Sequence, residues 1–155
     1  NDQLVVLRPN TGAHVIQLNV KFYNELTDAV NTLLLGAYEI CCRRKKKELL
    51  LSQLQEQMKR LEYAVKMGNE RERIYAILRF DRCFVTATEN RKSIALFDNE
   101  MDILYLAYVY NHQNRTIDWN HNIERSGVLL RAVSEDCHQL VRDILCERSN
   151  PHIAD

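Results

Sequence analysis

Punctuation is what this chain has least of. Two prolines and four glycines are spread over 155 residues. That scarcity excludes a fold of many short strands joined by tight turns and favours long helices. A net charge is missing too. Twenty-one cations balance 21 anions, so the chain as a whole has no bulk electrostatic pull on nucleic acid. A long apolar run is also missing. The stretch from Ala29 to the first basic residue is about fourteen residues and carries Asn31 and Glu39, whereas a bilayer span needs about 20. No membrane span is expected. The five cysteines form no C-x-x-C pair and make an odd number. Free thiols in a reducing compartment are therefore expected, intracellular in cytoplasm or nucleus. The sequon Asn114-Arg115-Thr116 carries no weight outside a secretory setting.

What is present suits one globular domain. Apolar residues make up 46% and charged residues 27%, and the length is enough for a real core. "QLVVLRPNTGAHVIQLNV" holds two β-type runs around the turn sequence "PNTG", which predicts strands near residues 3–8 and 13–20. From Lys21 the period changes. Leu26, Val30, Leu33, Ala37, Ile40, Arg44, Lys47, Leu51, Leu54, Met58, Leu61 and Val65 follow at helical spacing, ten of twelve apolar. This predicts a long or kinked amphipathic helix over 21–67, roughly 70 Å if continuous at 1.5 Å per residue. Gly36 is a weak point in it and Gly68-Asn69 a stop. Further helices are expected over about 70–91, from Asn99 with Asp98 as cap, and after Ser134, with "NRTIDWNHN" as a loop. No internal repeat is visible. The expected fold is mainly α: an N-terminal β-hairpin over 1–20, the 21–67 helix, and shorter helices over 70–148, in a single domain of residues 1–155.

Flanking positions Leu34, Cys41, Leu50 and Ala64 widen the apolar face of the long helix beyond a two-stranded coiled-coil seam. A face that wide predicts a non-catalytic assembly module or scaffold, a helical bundle that buries the stripe against a protein partner or a second copy. The interface residues expected are Leu51, Leu54, Met58 and Leu61. Tyr105 and Tyr108 join them, sharing a helix face in the richest aromatic region. The free edge of the hairpin is a second contact.

The alternative uses Arg43, Arg44, Lys45, Lys46 and Lys47, five consecutive cations able to hold phosphates. Their span exceeds one helical turn, so the charge surrounds the helix, and no aromatic lies among them for base stacking. Cys41-Cys42 beside them is a pattern that palmitoylation can use. His112, Asp118, His121, Cys137 and His138 are ligand types whose spacing matches no metal motif. No metal, cofactor or catalytic residue is expected. Cys137 and His138 are neighbours about 100° apart on a helix, which prevents a nucleophile–base pair.

Two resemblances bear on the nucleic-acid alternative. Arg131 followed by His138 resembles the R-x(4–6)-H motif of HEPN-type ribonucleases, which implies RNA handling by those two residues across a dimer. "ILRFDRCFVTATENR" and "VLLRAVSEDCHQLVRDIL" resemble the helical core and C-terminal piece of GINS-type replication complex subunits, which implies a nuclear assembly subunit without chemistry of its own.

Overall fold

A computed structural model describes the backbone of residues 2–8, 12–112 and 116–147, with side chains from residue 18 onward in those ranges. Six helices are present among the described residues: α1 Val20–Arg43, α2 Lys47–Met67, α3 Glu70–Thr86, α4 Arg91–His112, α5 Trp119–Ser134 and α6 His138–Glu147. The folded body is all-helical, which corrects the expectation of a β-hairpin as a layer of the fold. The core cluster of described residues is drawn from the helices and the turns between them. The leading backbone segments Asp2–Arg8 and Gly12–Leu18 run antiparallel to each other. Their only described side chain is Leu18, and it lies outside the core cluster.

The 21–67 stretch, expected as a long or kinked helix, divides at the basic run into two helices that part at Arg44–Lys46. Lys45 takes a left-handed φ of 55°. Lys46 N–H donates to Cys41 O at 2.8 Å and Lys45 N–H to Cys42 O at 3.3 Å, the paired bonds that close a helix C-terminus in a Schellman turn. The basic run is therefore a turn between helices. No coiled-coil rod remains, since α2 packs on α3 and α5, while α1 packs on α3, α4 and α6. Helix α1 passes through Gly36 without a break.

The same kind of turn recurs. Left-handed residues stand at Lys45, Glu89 and Asp136, after α1, α3 and α5. Cys137 N–H donates to Ala132 O at 2.9 Å and Asp136 N–H to Val133 O at 3.3 Å, repeating the bonds of the first turn. Ion pairs bring the three turns together: Lys46 Nζ lies 2.6 Å from Glu89 and Lys47 Nζ 3.0 Å from Asp136. The described body thus holds three pairs of helices, each with a left-handed residue in the turn that joins them.

Other boundaries move for local reasons. Gly68 does end α2, but at φ −88° and ψ 172°, in extended backbone. Glycine serves there through space: a Cβ would stand 2.5 Å from Glu72 Oε2 and 2.7 Å from the Ala64 carbonyl oxygen. Asn69 and Glu72 form a reciprocal capping box that starts α3. Helix α4 begins eight residues before the expected Asn99, because Asn90 Oδ1 accepts from Lys92 N–H at 3.0 Å and Ser93 N–H at 3.1 Å. Asp98 sits inside α4 and binds Arg82 with both oxygens, at 2.6 and 2.9 Å. Asp118 caps α5 at His121 N–H, so part of the expected loop is helix. Ser134 ends α5 and caps nothing at α6.

Candidate functional site

Helix α1 buries Tyr23, Thr27, Asn31, Leu34, Ala37, Tyr38 and Cys41. This face is displaced by one residue from the expected Leu26–Val30–Leu33 stripe, whose members are only half-buried. Its two polar members explain the displacement. Thr27 and Asn31 line a partly open cavity, of about 90 Å³, between α1, α3, α4 and α5. An apolar wall comes from Val30, Leu34, Ile77, Leu78, Phe97, Leu104 and Ala107, and a polar set from Asn31, Asp81, Asn122, Arg125 and Ser126.

Several of the polar lining groups are tied to backbone carbonyls. Thr27 Oγ1 donates to Tyr23 O at 3.0 Å, so its hydroxyl is spent on its own helix. Asn31 Nδ2 donates to Cys146 O at 3.2 Å and Arg125 Nη2 to Ile144 O at 3.3 Å, which ties the cavity to α6. Asn31, Asp81 and Ser126 are 8%, 7% and 3% exposed. Polar groups this deep are costly unless hydrogen-bonded. Their convergence on one small space, opposite an apolar wall, is the composition of a ligand site. A 150 Å³ apolar cavity admits benzene. The space here suits a molecule of a few heavy atoms, or about three waters.

Of the expected interface residues, Leu54 and Leu61 are 0% exposed, while Leu51 and Met58 are half-buried against the core. Leu54 and Leu61 are covered within this chain, where α2 packs on α3 and α5. Tyr105 stacks on Tyr75 at 4.8 Å, with the Arg71 guanidinium 5.5 Å from the Tyr75 ring centroid and 5.8 Å from that of Tyr105. Tyr75 Oη donates to Asp102 at 2.9 Å. Burial first, then that hydrogen bond, push the Tyr75 phenol up. Tyr108 lines the cavity and stacks on His112 at 4.5 Å. The two tyrosines thus serve different places.

Within the basic run, Arg43, Arg44 and Lys45 are exposed, whereas Lys46 and Lys47 hold the turns together. Arg131 and His138 stand on different helices, and His138 Nδ1 is 2.6 Å from Tyr38 Oη. Among the expected non-ligands, His112 Nδ1 bonds Tyr108 O at 2.9 Å and Asp118 caps a helix. Among the described residues, no cluster of three or more His, Cys, Asp or Glu could hold a metal ion, and no helix is long and apolar enough to cross a membrane.

A second, larger recess lies at the turn end. It measures about 470 Å³ and is lined by Tyr38, Cys41, Cys42, Lys45, Lys47, Glu48, Leu50, Val133, Asp136 and His138. Here tertiary structure makes a Cys–His approach that adjacent Cys137 and His138 could not: Cys42 Sγ is 3.8 Å from His138 Nδ1. Burial, then the hydrogen bond with Cys42, raise the Tyr38 phenol above its ordinary value. At the rim Arg142 bonds Glu39 at 2.5 Å and holds its carboxyl below the usual range. No sequence signal links residues 96 positions apart.

Comparison with known proteins adds the fold. No protein family matches the chain, and no curated protein matches it at a significant level. Its structure is similar to a solved structure of Lar, described as controlling the expression of the Listeria monocytogenes agr system and mediating virulence. The TM-score is 0.75 at 16% identity, over 94% of this chain and 68% of that one. At that identity the likeness shows the fold alone.

Proposed function

We propose that this chain is a non-catalytic binding module whose inter-helix cavity takes a small polar molecule and whose output passes to a protein partner or a second copy. The observation that carries this reading is the cavity itself: buried Asn31, Asp81 and Ser126 facing an apolar wall. Four helices meet there, so occupancy alters the packing of elements distant in sequence. A regulatory use of that coupling is in keeping with the structural neighbour Lar, which controls the expression of the agr system.

The test is a thermal-shift screen of small organic acids, amides, amines and alcohols on the intact chain, repeated on Ala107→Leu, which fills the cavity from α4. A ligand present at 100 times its Kd stabilises by about 2.7 kcal/mol, a rise of roughly 5–10 °C for a chain of this size. At least one class should raise the midpoint of the wild type and leave Ala107→Leu unmoved. No shift from any class, or equal shifts in both proteins, would refute the reading.

Assembly is the second reading. Tyr63 and Met67, one turn apart on α2, are 68% and 66% exposed, an apolar pair suited to a contact between chains. Light-scattering mass across a dilution series of wild type and Tyr63→Lys tests it. A nucleic-acid role would have to use Arg43, Arg44 and Lys45. Reversing those three charges should then abolish a salt-sensitive binding without changing the mass.

A further inference from the structure

The five thiols differ sharply in setting. Cys41 and Cys83 are sealed in the core, where burial pushes them up to about 11 and about 12 respectively. Cys137 and Cys146 are exposed. Cys42 alone among them combines partial access, an imidazole at 3.8 Å and a recess of about 470 Å³. Tyr38 is one turn before it on the same face of α1, and its Oη is 2.6 Å from the same His138 Nδ1. His138 opens α6 and is solvent-exposed, so solutes reach the group.

We propose that Cys42 is a thiol-exchange site, with Tyr38 and His138 as its proton relay, that accepts a mixed disulfide from a small disulfide bearing carboxylates. The thiol needs a nearby base, since the deprotonated sulfur is the nucleophile. His138 Nδ1 takes the Cys42 proton, directly or through the Tyr38 hydroxyl. Cys42 sulfur attacks one sulfur of the disulfide, a new S–S bond forms and the old one breaks. The leaving thiolate takes the proton back from His138. One thiol and one disulfide become one mixed disulfide and one thiol, so no further oxidant is needed. The recess gives the adduct room. Lys45, which makes no ion pair among the described residues, and Lys47, held by Asp136 at 3.0 Å, give its carboxylates cationic neighbours. Glu48 and Asp136 also line the recess, which favours carboxylates placed toward the lysines.

The experiment uses the full chain and oxidised glutathione as the probe, with intact-mass and peptide mass spectrometry over time. A single adduct should form first at Cys42, about 100-fold or more faster than at Cys137 or Cys146, the lower end of what a positioned base supplies. His138→Gln should remove that advantage, and Tyr38→Phe should reduce it, with Cys137 and Cys146 unchanged in both. The dicationic disulfide cystamine should react more slowly than glutathione at Cys42. Equal rates at the three accessible thiols, or an unchanged rate in His138→Gln, would overturn the site. Cystamine reacting as fast as glutathione would overturn the carboxylate assignment. The comparison among thiols in the wild type stands without any variant, so it holds even where a substitution disturbs folding.

Discussion

Leu54→Ala decides whether the leucine stripe of α2 belongs to this chain or to a partner. Leu54 is 0% exposed. Truncation removes three carbons, at about 0.8 kcal/mol of transfer free energy each, and leaves a cavity that the core only partly closes. The sum falls in the range of about 2–5 kcal/mol seen for buried Leu→Ala changes. At 3 kcal/mol, a chain of this size loses roughly 6–12 °C in Tm. Leu61→Ala, also at 0% exposure, should cost as much. The two positions lie about 10 Å apart along the helix, so their costs should nearly add. Tyr63→Ala, on the exposed side, should stay within about 0.5 kcal/mol. The assay is thermal and urea denaturation of each variant, paired with light-scattering mass. An unchanged Tm in Leu54→Ala, together with a fall in molecular mass, would show that the leucine faces another chain and would refute the packing described here.

Gly68→Ala should destabilise by about 1–3 kcal/mol, as an overpacked site does, because its new Cβ meets a backbone carbonyl and the capping glutamate; urea midpoints against wild type check it. Alkali should unfold the protein early. Cys41 and Cys83 have an ordinary value near 9.0 and are pushed up to about 11 and about 12 in the fold. Above pH 9 the unfolded thiols ionise while the folded ones stay neutral, so stability falls by up to about 1.4 kcal/mol per pH unit per thiol. Cys83→Ala should shallow that slope in urea titrations between pH 8 and pH 11. Asp98 is held below the usual carboxylate range, first by its hydrogen bond with Arg82. Its contribution is present above about pH 4 and disappears as pH falls through its lowered value. Asp98→Asn should cost at most about 1 kcal/mol at pH 7 for so exposed a pair and progressively less as pH falls through that lowered value, measured by urea unfolding over an acid pH series.

The sequence by itself determined that this is a helical chain and where several of its helices stop. Sparse proline and glycine, the apolar repeat of α2 and the Gly68-Asn69 stop act within a turn or two, and local physics of that range is written in neighbouring residues. The three left-handed turns, the true face of α1 and the two recesses were decided only in three dimensions. Sequence periodicity finds apolar stripes, and α1 buries Thr27 and Asn31 because it lines a cavity, so its stripe pointed one residue away. The basic run showed no pairing in the sequence because Glu89 and Asp136, which neutralise Lys46 and Lys47, lie 43 and 89 residues onward. Leu54 and Leu61 looked available to a partner because amphipathicity states how much apolar area a helix has to cover. Which surface covers it is settled by packing, and here α3 and α5 cover it from within.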